Sequence, residues 1–288
     1  MAVQFDLGSK HHECIEKTRK LVEEIGKNLP ADGNPKEITK KYLAGTLGAM
    51  TSESEIYSDY LGMAVSMEEL SKYNSLSAYI LIEQIVFGEI LKAYAGTKAS
   101  DYLKKGETVS LLCMESGFSG IGSISTKASK VDGGWQLEGS KLVSNEQLYS
   151  EKYVVFAKDE EESIRLFLIP EENIKIEKME NALPSANIVF NEIKLSHTLK
   201  DEQCIAVIND NFERTLSIAR MLIASVSNGI AYNALVKSIE AVKTSKNAQG
   251  EAISSSQSAQ FTLADMYSEL EAARMLTFYA ADTIDNGK

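Results

Sequence analysis

The stretch Leu111–Asn145, LLCMESGFSGIGSISTKASKVDGGWQLEGSKLVSN, constrains the fold more than any other part of the chain. Two alternating runs, Ile124–Val131 and Trp135–Val143, are joined by Asp132-Gly133-Gly134. Period-two alternation broken by Asp-Gly predicts an antiparallel β-hairpin, because the turn needs backbone angles that glycine adopts without a Cβ clash. Ahead of it a short apolar run, Ser110–Met114, enters Glu115-Ser116-Gly117-Phe118-Ser119-Gly120-Ile121-Gly122. Glycines at 117, 120 and 122 permit φ > 0 and a close approach of backbone to another group. A surface loop and an ordinary hairpin would already satisfy this pattern.

The flanks read differently. Residues 1–107 carry helical periodicity, with candidate helices at His11–Leu29, Pro35–Ala49, Tyr57–Tyr73 and Ser75–Tyr94. The last is apolar nearly all round, which fits a buried core helix. Residues 108–207 read as strands: besides the hairpin, Tyr153–Lys158, Ile164–Ile169, Ile174–Lys178 and Ile188–Leu195 are short β-type runs between turns. The acidic run Asp159–Glu162 reads as a solvated loop. Two long helices follow, Phe212–Thr244 and Ser258–Asp285, with a break around Gln249-Gly250. The expected class is therefore α+β: a helical domain (1–107), an antiparallel β-domain (108–207) and a second helical domain (208–288).

A length of 288 residues gives ample chain for a core. The net charge of -11 argues against nucleic acid or an anionic membrane surface as a partner. Cys14, Cys113 and Cys204 are odd in number and far apart, so neither a disulfide framework nor a metal spacing is expected. The adjacent His11 and His12 read as a solvated face rather than a ligand set. No long uncharged apolar run suggests a membrane span. The first residues lack a signal or transit pattern, which points to a cytoplasmic, reducing compartment.

Several segments together resemble the acyl-CoA dehydrogenase family. The Glu-x-Gly turn, the hairpin GGWQLEGSKLVSN and Tyr153–Lys158 are similar to that family's T-E-P-x-x-G-S-D, W-x-L-x-G-x-K-x-W-I-T-N and V-V-x-A-[KR]. Met67-Glu68-Glu69-Leu70 matches its M-E-E-L helix. Gly96 to Glu107 resembles its link into the β-domain. Gln257-x-x-Gln260-Phe261-x-Leu263-Ala264-Asp265-Met266, then Glu271-Ala272-Ala273-Arg274 and Asp285-x-Gly287, keep its spacing in the last helix. Residues 48–60 depart from its glycine-rich E-Y-G-G-x-G, so acyl-chain preference does not carry over.

The resemblance implies α,β-dehydrogenation of an acyl-CoA thioester with FAD: a carboxylate takes the α-proton while the flavin accepts the β-hydride. Its flavin-binding positions fall on Met114, Glu115, Ser119, Gly120 and Ser144. Glu115 contributes through its backbone, and Ser144 offers a hydroxyl to the flavin N5. Met114 replaces a threonine, Gly120 the pyrophosphate serine, Ile121 an aspartate and Leu142 a stacking aromatic. The R-x-x-F-G that reaches a neighbouring subunit's flavin becomes Lys246 to Gly250, with Gln249 at the Phe; counted from Gly229, Ser245 takes the Arg position instead. Lys246 read alone is a solvated loop lysine. Gln257 matches the later glutamine, and Arg220 falls on the arginine that binds the CoA part.

The base position just before that arginine is Ala219, and Glu213 lies about 240° away around the helix. No base is found in this sequence, so the catalytic group is unknown. Only the first two helices of the family's C-terminal bundle are present, so the chain is either a fragment or a short member covering its apolar face with another chain. Two readings stay open, besides a member that keeps acyl-thioester binding and loses redox. One is an acyl-CoA dehydrogenase-like flavoprotein, oligomeric, with an electron-transfer flavoprotein as acceptor. The other is a non-catalytic partner subunit that has lost its flavin and base positions.

Overall fold

The structure, a computed structural model, describes residues 7–27, 59–103, 107–117, 119–144, 146–174, 176–178, 191–208 and 212–287. In chain order these form α1 (Ser9–Lys27), α2 (Tyr60–Ser71), α3 (Ser75–Tyr94), β1 (Val109–Leu112), β2 (Lys127–Val131), β3 (Gly134–Val143), β4 (Lys152–Lys158), β5 (Ile164–Pro170), β6 (Ile176–Lys178), β7 (Asn191–Lys200), β8 (Cys204–Ile208), α4 (Glu213–Thr244) and α5 (Gln257–Asp285). The expected mixture of helices and a sheet is what is found. The helix expected at Pro35–Ala49 lies outside the described residues. No described helix is long and apolar enough to cross a membrane. The contacts divide the chain into two compact units, residues 1–79 with 217–288, and residues 80–216.

The first unit is helical. α2 is buried along most of its length, including Glu68 and Glu69. A buried carboxylate is tolerated only when it is paired and hydrogen-bonded. Arg274 Nε donates to both oxygens of Glu68, at 2.9 and 3.0 Å. Glu69 receives Arg19 Nε at 3.0 Å and Lys72 Nζ at 2.8 Å. α4 crosses α2 at a glycine: a Cβ on Gly229 would lie 1.9 Å from Ser71 Oγ and 2.2 Å from the Glu68 carbonyl. α5 buries Leu270, Thr277, Phe278, Ala281 and Ile284, one helical stripe. At its end the Asp285 carboxylate accepts the backbone N–H of Tyr60 (2.8 Å) and Leu61 (3.0 Å), capping the start of α2. His11 is not the solvated residue expected: its Nε2 is 3.7 Å from Asp59, itself the N-cap of α2.

The second unit is built on an eight-stranded sheet with the order β6-β7-β3-β2-β4-β5-β8. β4 carries β5 on one edge; on the other it pairs in parallel with β1 and, at Lys158, with β2. β3 pairs with β7 along its whole length. Tyr153, Val154, Val155, Phe156 and Ala157 are all buried, so both faces of β4 are covered. Tyr153, Val155 and Ala157 join Leu112, Leu137, Val143, Phe167 and Ile193 in one core. On the opposite face Phe156 meets Phe212 edge-on, with ring centroids 6.1 Å apart.

Two departures from expectation have local causes. The strand expected from Ile124 begins only at Lys127, because Ile121–Ser123 forms a 3-10 turn and Ser125 and Thr126 are turned toward Glu115. The acidic run after β4 is not uniformly solvated: Asp159 is buried, its Oδ2 2.6 Å from Arg165 Nε. Asp159 Oδ1 also accepts the N–H groups of Glu161 and Ser163, both at 2.9 Å, which closes the β4–β5 turn.

Candidate functional site

The turn and hairpin of residues 111–144 fold into one stitched edge of the second unit. The Leu142 N–H donates to the Met114 carbonyl at 2.8 Å, joining the segment after β1 to the end of β3. Below that bond lies Glu115, buried, with five donors on its carboxylate: Lys141 Nζ, the Ser125 N–H (2.7 Å), Ser125 Oγ (2.6 Å), the Thr126 N–H (3.2 Å) and Thr126 Oγ1 (2.7 Å). Lys141 is wholly buried beside it. Burial opposes the charged carboxylate, but the bonds from Lys141, Ser125 and Thr126 outweigh it and hold Glu115 down at about 2. Burial also lowers the Lys141 ammonium, against the pull of Glu115.

Gly139 makes this closure possible. Its φ is +150°, and a Cβ there would lie 2.7 Å from Thr126 Oγ1 and 2.8 Å from Thr126 Cα. Above Glu115 the chain turns back at Gly117 and Gly120, both with positive φ. Ser123 Oγ donates to the Gly120 carbonyl (2.7 Å) and accepts the Ser119 N–H (2.9 Å), so the turn carries its own brace.

The sequence expected Glu115 to act through its backbone. In the structure its side chain is the joint between the glycine turn and the hairpin. Met114 is exposed, Ser119 exposed, Gly120 half-buried and Ser144 half-buried. Met114, Glu115 and Ser144 are thus drawn to one edge, and Ser119 and Gly120 sit in the turn that rises from it. The Ser144 hydroxyl makes no hydrogen bond among the described residues, while its N–H donates to Gln147 Oε1 at 3.1 Å. Cys113, between these groups, is half-buried, and burial pushes its thiol up to about 11.

The remaining candidates belong to the helical unit. Ala219 is half-buried and Arg220 exposed on α4. Lys246 is exposed and its backbone bridges to Ala252. That loop is closed by Asn247, whose Oδ1 accepts the N–H groups of Gln249 (3.0 Å) and Glu251 (2.9 Å). Gln257 is exposed at the start of α5. Among the described residues no group of three His, Cys, Asp or Glu side chains could hold a metal ion.

Four residues escaped the sequence reading: Lys141, Ser125, Thr126 and Gln147. Lys141 was findable. It shares the inward phase of β3 with Leu137 and Val143, and a lysine at an inward position needs a buried partner. Ser125 and Thr126 gave no comparable signal, because small polar residues after a glycine turn are ordinary, and neither did Gln147, a polar residue in the turn after β3.

Residues 210–288 match the family described as acyl-CoA dehydrogenase, C-terminal domain. The short-chain specific acyl-CoA dehydrogenase of mouse mitochondria is 27% identical over 251 residues, covering 80% of this chain and 60% of that protein. The caffeyl-CoA reductase–Etf complex subunit CarC of Acetobacterium woodii is 25% identical over 251 residues, covering 80% and 65%. Butyryl-CoA dehydrogenase of Megasphaera elsdenii has the same fold, with a TM-score of 0.76 at 22% identity over 99% of this chain and 82% of that one. The chain thus spans 60% of the length of the mouse relative.

Proposed function

Since the chain belongs to the acyl-CoA dehydrogenase family, we propose that it binds FAD and takes part in the α,β-dehydrogenation of an acyl-CoA thioester. The observation that carries this reading is the braced edge of residues 111–144, where the Leu142 N–H bonds the Met114 carbonyl, the Met114 side chain is exposed and the Ser144 hydroxyl makes no hydrogen bond among the described residues. A flat redox ring needs a fixed backbone edge with a free hydroxyl and apolar surface to lie against. Open space surrounds the Cβ position of Gly120, so a phosphate group can approach the turn closely. The residues present therefore fit the cofactor.

Bound FAD would supply the hydride acceptor. Met114, Glu115, Ser119, Gly120 and Ser144 would hold it, Glu115 by fixing the turn and the hairpin to each other. Lys246 and Gln257 would serve the cofactor of an adjoining subunit, which implies an oligomer. Arg220 would meet a phosphate or ribose oxygen of CoA. The three-part division at 107 and 207, a cytoplasmic setting and an electron-transfer flavoprotein as acceptor complete this reading. The acceptor draws support from the Acetobacterium relative, whose name places it in an Etf complex.

A second reading is favoured by one residue. Ala219 occupies the position where some relatives carry the base, and a methyl group cannot take a proton. On that reading the chain is a partner subunit that keeps the fold without the chemistry. The visible absorption spectrum of the purified protein, before and after incubation with FAD, separates the two. A stoichiometric flavin band bleached by an acyl-CoA supports the first. A protein that stays colourless after FAD is added overturns it.

A further inference from the structure

Gln147 lies in the 3-10 turn Glu146–Tyr149 that follows β3, and its carboxamide bonds in three directions. Nε2 donates to Glu83 Oε1 on α3 at 2.7 Å and to the Leu111 carbonyl on β1 at 3.2 Å. Oε1 accepts the Ser144 N–H at 3.1 Å. The orientation of the amide is forced. A carboxylate and a carbonyl oxygen can only accept, so the NH2 end must face them and the oxygen must face Ser144. Glu83 is anchored in turn: Ser110 Oγ donates to its other oxygen, and that hydroxyl lies 2.8 Å from Ser150 Oγ. A chain of bonds thus runs from the interior of the second unit to the backbone of Ser144, whose hydroxyl makes no hydrogen bond among the described residues.

We infer that Gln147 is a positioning residue: through Glu83 it fixes the peptide of Ser144, and so sets where the Ser144 hydroxyl meets the flavin. The inference rests on the flavin reading above and deepens it. A leucine at 147 would fill similar space but leave the Ser144 N–H without its acceptor and remove one of the donors to Glu83. The serine could then rotate, and the cofactor contact would loosen while the hydroxyl itself remained.

The test uses the full chain. FAD affinity is measured by flavin fluorescence, and the rate of bleaching by an acyl-CoA is followed at saturating and limiting substrate. Gln147→Leu is expected to weaken FAD binding about tenfold and to slow bleaching at saturating acyl-CoA by a similar factor, with the half-saturating concentration of acyl-CoA unchanged. Adding Gln147→Leu to Ser144→Ala should cost nothing further, because the two act through one contact. Gln147→Glu combined with Glu83→Gln reverses the polarity of the pair and keeps an acceptor for the Ser144 N–H but sets a carboxylate oxygen against the Leu111 carbonyl; it should bind FAD more tightly than Gln147→Leu without reaching the parent. If Gln147→Leu does not fold, the reversed pair and the shorter Gln147→Asn carry the comparison. Affinity and bleaching within twofold of the parent, with only the urea midpoint lowered, would overturn the positioning role and leave a structural clamp. A parent protein that binds no FAD overturns the flavin reading, and this inference with it.

Discussion

Lys141 and Glu115 form an ion pair in which the lysine has none of its surface exposed and the glutamate 5%. Each is tolerable only because of the other. Lys141→Met would leave the Glu115 charge buried with only its serine and threonine donors, a loss of about 3–5 kcal/mol of folding stability. Lys141→Met with Glu115→Gln removes both charges and should lose much less. Urea unfolding of the two variants checks this, and equal losses would show that the pair is not a coupled unit.

The same carboxylate sets the acid limb of stability. Its folded value, about 2, lies below the ordinary 4.5. Its contribution is therefore complete above about 4.5 and is lost as the pH falls toward 2, since the unfolded chain takes up the proton first. The loss across that window is about 3 kcal/mol. Urea midpoints from pH 6 to pH 2.5 should fall steeply in the parent and more gently in Glu115→Gln.

Arg274 holds two carboxylates at once, Nε on both oxygens of Glu68 and Nη1 on Glu271, in a planar arrangement that lysine cannot reproduce. Arg274→Ala is expected to cost about 3 kcal/mol, at the low end for a buried charge because Lys72 Nζ remains 3.6 Å from Glu68. Arg274→Lys should recover less than half of that. Thermal unfolding gives both figures, and full recovery by lysine would mean that charge alone matters.

Gly229→Ala pushes a methyl group into Ser71 Oγ and the Glu68 backbone. Separating the helices by even part of that overlap should cost about 1–3 kcal/mol. Adding Ser71→Gly should return only part of it, because the Glu68 carbonyl stays in place. A neutral Gly229→Ala would mean that the α2–α4 crossing is loose.

Much of the fold was legible. Alternation located β3, the Asp-Gly turn located the hairpin, and apolar period located α3, α4 and α5. What stayed hidden was polar and long-range. Glu115 and Lys141 are 26 positions apart, and no local pattern reports which inward lysine meets which turn carboxylate. Asp159 was misjudged because its neighbours Glu160, Glu161 and Glu162 are exposed, and composition averages over a run that the turn splits. The Gln147 bridge joins α3, β1 and the end of β3, three segments whose proximity exists only after the sheet has formed. The glycine turn was read as a place for backbone to approach a ligand; that it is braced from within by Ser123 depends on a side-chain rotamer.

The Asp285 cap on α2 has a consequence for synthesis. The helical unit closes only when residue 285 reaches residue 60, so its loop closure waits for nearly all of these residues to emerge from the ribosome. The sheet unit is encoded by one uninterrupted segment and can complete its contacts earlier. Until then α2, buried along most of its length in the finished fold, lacks its Asp285 cap and carries Glu68 without Arg274.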